Sequence, residues 1–485
     1  MLAELLEPVR TTVQPSNHAY LNGPWTPVHN EYDARDLEVV AGAIPDDLDG
    51  VYIRNTQNPA HQPLGFYHPF DGDGMLHQIE FCGGKANYRN RFVRTRGFAA
   101  EQEAGGSVWA GIVDSPSLSR RKGYGLTGAV KDSSNTDIVI HAGSALSTFY
   151  MCGEGYRLDP LTLKTIGVEG WVPIDGISAH TKVNEVTGEL YFFNYSAHEP
   201  YVHYGVVDKD NQLVAYRPVP MPGPRMVHDF AFSANWAIFN DFPLMLDFSG
   251  QPLLVPGMNS RLGLVPRDAS DGEPRWFDAA PTFVQHWVNA YEEGDEVIID
   301  GYFQEDPVPQ PPEQYPANVA GMFGIIDAAA IRTKLHRWRL NLADGTSRED
   351  HLYAGPRNVE FGMFNQRHAG QKYRYVWSVM MEPGMFLMSG WVKHDLETGQ
   401  HTEFALPKGL YCSESPFVPK AGAVDEDDGY LVSFIIDENS QSSECWVLDA
   451  KNIVAGPIAR LRLPQKISSG THSCWASREQ LGAAS

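Results

Sequence analysis

Residues 157–167 read RLDPLTLKTIG, residues 182–193 read KVNEVTGELYFF and residues 206–216 read VVDKDNQLVAY. Each is an apolar strand, then Asp or Asn, a short polar turn and a second strand. The phrase returns as KHDLETGQHTEF from Lys393 and as VLDAKNIVAGPIARLRLP from Val447. Its first three anchors, Asp159, Asn184 and Asp208, follow one another at nearly equal intervals, each long enough for about one hairpin pair. Such repetition suits a radial β architecture, a propeller of small antiparallel sheets around an axis. On spacing alone an ordinary β-sandwich with common hairpin turns fits equally well.

Working outward, short strands closed by tight turns dominate. Ile138 to His141, Leu190 to Asn194, Trp236 to Asn240, Val297 to Asp300 and Tyr430 to Ile435 read as strands. Helical periodicity is scarce, and Leu2 to Leu6 is read as one or two helical turns. A length of 485 residues suggests about three domains at roughly 150 residues each. Large all-β folds exceed that as single units, however. The 45 Gly and 34 Pro are spread evenly, and no linker or charge block divides the chain. Residues 1–485 are therefore read as one domain.

Composition excludes several classes. Aliphatic, aromatic and Cys residues make up 42%, enough for a core, and charged residues only 20%, too few for a coiled coil. The net charge of −22 is the wrong sign for nucleic acid or for electrostatic docking on anionic lipid. The five cysteines are scattered with no CxxC, which argues against a disulfide framework or a thiolate zinc site. A reducing compartment, the cytoplasm, is expected. The opening MLAELLEPVRTT does not read as a signal peptide, and no apolar run is long enough to span a membrane.

The motifs of common hydrolases, GxSxG and HExxH, are missing, and FDGDGM (Phe70 to Met75) is not a phosphate-binding glycine loop. Four of the 17 histidines stand beside apolar strands with small residues or a turn nearby: His180, His228, His286 and His472. They lie far apart along the chain and make no local metal motif. Only tertiary structure could gather them, as the inner strands of a propeller would. Taken singly, each reads better as an ordinary core or surface histidine. The pair Asp71 and Asp73 is read as structural, setting a tight turn.

Nine blocks lift this ambiguity. In chain order they are IPDDLDGVYIRNTQNP (Ile44 to Pro59), FDGDGM, SNTDIVIHAG, GEGYRLDPLTL, SAHTK, MVHDFAFSANWAIFNDFPL, LGLVPRD, HWVNAYEEG and SESPFVPK. Together they resemble the carotenoid cleavage oxygenase family from about residue 40 to residue 476. The resemblance implies an all-β fold, a seven-bladed β-propeller with loops and short helices capping an axial metal site. Residues 1–40 would be an N-terminal extension and 41–476 the propeller and cap. It implies one non-haem Fe(2+) per chain, bound by His180, His228, His286 and His472, with no catalytic side chain beyond the metal centre. Imidazole suits iron, and open coordination positions suit O2. The family supports its ligands with three Glu, which match Glu154, Glu360 and Glu414. The His matching His180 lacks such a partner in relatives.

By resemblance the reaction is cleavage of an alkene C=C by O2 into two carbonyl products. Phe70 matches an aromatic that contacts substrate. Members that act on phenols grip the phenolic oxygen with a Lys and a Tyr; here Gly153 and Ile112 stand at the matching positions. A site that lacks such partners discriminates poorly for the hydroxyl. The expected substrate is therefore a carotenoid or apocarotenoid. The alternative is a stilbene or phenylpropene, as in lignostilbene cleavage, and less favoured is a redox-neutral isomerohydrolase. The expected partners are an apolar polyene or aromatic alkene and O2, with no nucleic acid and no obligatory protein partner. Peripheral membrane contact would need an apolar patch at the tunnel mouth. Met381 to Trp391 (MEPGMFLMSGW) is either that patch or a buried strand.

Overall fold

The computed structural model describes residues 1–123, 130–246, 252–255, 257–305 and 331–482. It is a seven-bladed β-propeller with very few helices. From the axis outward, the first blade runs Ser473–Ser477, Gly50–Asn58, Asp73–Cys82, Lys85–Phe92, Tyr32–Arg35 and Leu2–Leu5. Four-stranded blades two to six begin at the axis with Asp137–His141, Lys182–Val183, Ala231–Phe232, Trp287–Glu293 and Val359–Met363. In the seventh, Phe417–Pro419 and Leu410–Tyr411 both pair with Gly429–Asp437. Ser442–Asp449, Pro457–Arg462 and Val39–Gly42 follow outward.

The repeated hairpin phrase has a simple physical basis. In blades two and three, Asp159 Oδ1 accepts from the Leu161 and Thr162 N–H, and Asp208 Oδ1 from those of Asp210 and Gln212. Asp268, Asn341, Asp395 and Asp449 do the same in the outer hairpins of blades four to seven. A short acceptor side chain that bonds the backbone two residues on is a turn in itself. Asn184 occupies the inner hairpin of blade three. The nearly equal intervals from Asp159 to Asn184 to Asp208 therefore alternate between outer and inner hairpins, and the blade repeat is about twice as long.

Middle strands are buried on both faces, because neighbouring blades pack face to face. Gly50–Asn58 and Leu190–Tyr195 are buried at every position. Such strands read as continuous apolar runs rather than as alternation. Outer strands such as Leu213–Pro220 and His401–Ala405 are largely exposed.

The segment ahead of the first propeller block is not a separate extension. Leu2–Leu5 pairs with Tyr32–Arg35 at the outer edge of blade one, and Val39–Gly42 pairs with Pro457–Arg462 in blade seven. Leu2 to Leu5 is thus a strand, not a helical turn: every residue in it is exposed, so backbone pairing, not an apolar face, holds it. The cap includes the helix Arg96–Ala104, started by Thr95 Oγ1 accepting from the Phe98 N–H and ended by Gly105 at φ 72°. Among the described residues no helix is long and apolar enough to cross a membrane.

The ring is closed by Ser473–Ser477, which pairs antiparallel with Gly50–Asn58. Arg54 locks this seam. Its side chain is fully buried and donates to Ser413 Oγ at 2.7 Å, Thr56 Oγ1 at 3.1 Å and the Ser468 carbonyl at 2.6 Å. Replacing it by Met leaves these acceptors without a donor, at about 1–3 kcal/mol for each buried group. Arg54→Met should therefore lower the urea midpoint markedly, whereas exposed Lys209→Ala should stay within about 0.5 kcal/mol of wild type. Equal midpoints would remove Arg54 from the seam.

Candidate metal centre

Four histidines meet on the axis. Each shortly precedes the innermost strand of its blade: His472 in blade one, His180 in blade three, His228 in blade four and His286 in blade five. All four are buried. The His180 ring lies 4.8 Å from that of His228, 5.0 Å from that of His286 and 4.6 Å from that of His472. The ligand atoms of His180, His286 and His472 lie within 4.8 Å of one another. His228 joins through Nε2, 3.1 Å from His180 Nε2.

Carboxylates hold the outer ring nitrogens. His286 Nδ1 is 2.7 Å from Glu360 Oε2, and His472 Nδ1 is 3.3 Å from Glu414 Oε1. Glu360 Oε2 also accepts from the Phe361 N–H, and Glu414 Oε2 from that of Ser473. Phe361 adopts φ 51°, a backbone conformation a bulky residue rarely takes. Its ring sits 4.6 Å from that of His286 and 5.0 Å from that of His472, forming an apolar wall against both.

Among the described residues no Glu bonds His180, but another carboxylate does. Its Nδ1 lies 2.9 Å from Asp137 Oδ2. Glu154 departs from expectation: among the described residues it bonds no imidazole. Its carboxylate is taken by Arg96 of the cap helix and by the Tyr156 hydroxyl. A guanidinium and a phenol within reach satisfy it locally.

The donor set fits a divalent cation. Burial pushes the pKa values of His180, His228 and His286 well below the ordinary histidine value, so their imidazoles are neutral, as ligands must be. At His472 the cost of burial is outweighed by Glu414 and Asp137, and its pKa is raised. Burial raises the pKa values of Glu360, Glu414 and Asp137, so all three anions gain from a nearby positive charge. His286 Nε2 is buried with no hydrogen-bond partner among the described residues. Two imidazole nitrogens, each about 2.1 Å from one ion and at right angles, lie about 3 Å apart, close to the His180–His228 separation.

On the cap side, Phe70, Ile112, Phe149, Tyr150 and Met226 form one apolar cluster, and the Phe70 ring also meets those of Tyr150 at 5.1 Å and Phe386 at 5.7 Å. Gly153 is not part of that cluster. A Cβ there would fall 2.5 Å from the Asp132 carboxylate, which would have to shift to admit a side chain. Lys131, which follows Val130 of the cluster, gives its ammonium to Asp73 at 2.7 Å and Glu101 at 2.8 Å. Asp71 accepts from the Ile112 and His68 N–H groups, so both Asp of FDGDGM hold local structure. In Met381 to Trp391, Leu387, Met388 and Trp391 are buried and the Phe386 N–H bonds Tyr20. Gly390 is buried too, Met385 and Phe386 are half-buried, and Glu382 and Pro383 are exposed. Away from the cap, a cavity of about 490 Å³ follows the axis from the histidines past Lys182 and Phe232 to Gln480.

Comparison with known proteins points the same way. The family model described as retinal pigment epithelial membrane protein, RPE65, matches residues 25–477. A carotenoid 9,10(9′,10′)-cleavage dioxygenase 1 of Pisum sativum is 32% identical, covering 96% of this chain and 91% of its own length. A lignostilbene-α,β-dioxygenase isozyme III of Sphingomonas paucimobilis is 30% identical over 95% of this chain and 97% of its own. A solved variant of the Synechocystis apocarotenoid oxygenase superposes with a TM-score of 0.80 at 26% identity, covering 94% of this chain and 98% of its own.

The geometry makes a direct prediction about metal content. His180→Ala, His286→Ala and His472→Ala should each bring bound divalent ion near background, measured by elemental analysis of purified protein. Glu360→Gln should weaken ion affinity about 10–100-fold. Glu154→Gln and the exposed His198→Ala should retain the wild-type content. Undiminished content in the first three would show that the cluster holds no metal.

Proposed function

Taking as premise that this chain belongs to the RPE65 family, which includes the carotenoid cleavage oxygenases, we propose that it is a non-haem iron(II) dioxygenase. It cleaves a C=C bond of a carotenoid or apocarotenoid with O2 to give two carbonyl products. The observation that carries this reading is the meeting of four buried imidazoles on the propeller axis, with carboxylates on three of their outer nitrogens.

His180, His228, His286 and His472 would hold the ion, one per chain, and Fe(II) there would supply the activation of O2. The protein's own part is positioning. Glu360 and Glu414 keep a proton on the Nδ1 of His286 and His472, which leaves each Nε2 lone pair turned inward. Phe361 packs against two of the rings and limits water beside them.

Substrate choice follows from the cap-side cluster. Phe70, Ile112, Phe149 and Met226 offer apolar contact, worth up to about 0.8 kcal/mol per buried CH2. The argument against a phenolic substrate rests on Ile112 and on Lys131, whose charge is already matched by two carboxylates. Gly153, standing where such members carry a Lys, supplies no ammonium there either. All five cysteines are unpaired, which supports a reducing, cytoplasmic setting.

The test compares turnover of a long apocarotenal with that of a 4-hydroxystilbene on one iron-loaded preparation, with O2 uptake and aldehyde products followed together. The apocarotenal should be cleaved faster, one O2 being consumed per bond broken. Faster cleavage of the stilbene would replace this substrate reading with the lignostilbene-type one. Conversion without O2 uptake would replace the oxygenase reading with an isomerohydrolase.

A further inference from the structure

The seven inner strands share a feature visible only when the blades are laid in register. Each carries one metal-competent or hydrogen-bonding group close to its first residue. In ring order these are His472, Asp137, His180, His228, His286, Glu360 and Glu414. Three pairs of ring neighbours are joined by hydrogen bonds: Asp137 with His180, His286 with Glu360, and Glu414 with His472. With four imidazoles and three acids, one imidazole must lack a neighbour, and it is His228. Among the described residues its hydrogen bond is to His180 alone. Asp229, next in sequence, is turned away to Lys182 and to the Phe230 and Trp287 N–H groups.

From this arrangement we infer that Asp137 is a positioning residue of the metal centre, the equivalent for His180 of Glu360 and Glu414. This rests on the iron reading above. The local structure suits the role. Asp137 opens the strand Asp137–His141, and its Oδ1 accepts from the Ile138 N–H at 2.7 Å, which fixes the carboxylate plane. Its carbonyl accepts from Asn55 Nδ2 at 3.1 Å, tying the strand to the first blade. The other oxygen, Oδ2, then faces His180 Nδ1. An anion held there fixes the ring's tautomer and orientation and raises the basicity of Nε2. It also adds a third negative charge around the ion, which favours the ferric over the ferrous state.

Two variants separate these roles. Asp137→Ala removes both acceptor and charge; Asp137→Asn keeps an acceptor oxygen and removes the charge. Fe(II) affinity would be measured by competition with a chelator, and the Fe(III)/Fe(II) midpoint potential by titration. Asp137→Ala should lose about 10–100-fold in affinity. Asp137→Asn should retain most of the affinity and show a higher midpoint than wild type. A wild-type affinity for Asp137→Ala, or an unmoved midpoint for Asp137→Asn, would overturn the assignment. A wild-type chain that binds no Fe(II) would instead overturn the iron reading itself. Circular dichroism identifies a misfolded Ala variant, in which case the midpoint of the Asn variant decides alone.

Discussion

The pairing of Ser473–Ser477 with Gly50–Asn58 is the contact on which the rest of the molecule depends. It closes a ring whose other blades follow one another along the chain. His472 immediately precedes that strand, and the Ser473 N–H bonds the same Glu414 that holds His472. Glu414 also accepts through its carbonyl from the Tyr52 and Ser473 hydroxyls. Ring closure and completion of the imidazole cluster are thus one event, because both use Glu414 and the first residues of the closing strand.

The centre gathers charge that a protein interior ordinarily excludes. Three carboxylates, Glu360 and Glu414 buried and Asp137 nearly so, surround four buried imidazoles, and burial alone would drive the acids to take up protons. Each is instead held by backbone N–H groups or an imidazole N–H. Elsewhere the same problem is solved with cations: Lys131 between Asp73 and Glu101, and Arg337 on Asp300 at 2.7 and 2.8 Å. At the axis the Lys182 ammonium pairs with Asp229 rather than with these three acids.

What can be read from residues alone follows the range of the interaction. Asp159, Asn184 and Asp208 are legible as turns because each bonds backbone two residues away. His180, His228, His286 and His472 are not legible by spacing, since they are spread over more than half of the chain; the family resemblance singles them out, and three of them stand inside its nine blocks while His472 lies beyond the last. Glu154 defeats the sequence because its Arg96 partner lies on the cap helix, far back in the chain. Asp137, inside SNTDIVIHAG, looks like any strand-opening residue. Its signal is its rank at the head of an inner strand, which appears once the blades are aligned. Leu2–Leu5 suggests a helical turn in isolation because its partner strand, Tyr32–Arg35, lies well downstream.

The order of the imidazoles along the chain bears on biosynthesis. His180, His228 and His286 are all made long before His472. At roughly 5–20 residues per second, a nascent chain spends on the order of 10–40 s with the set unfinished. During that interval blades three to five can fold beside one another, but the axis stays open where blade one will be sealed. A redox-active ion caught there early would face water rather than Phe361 and Glu414. Because the last imidazole arrives with the sealing strand, the complete set of four first exists inside a closed ring.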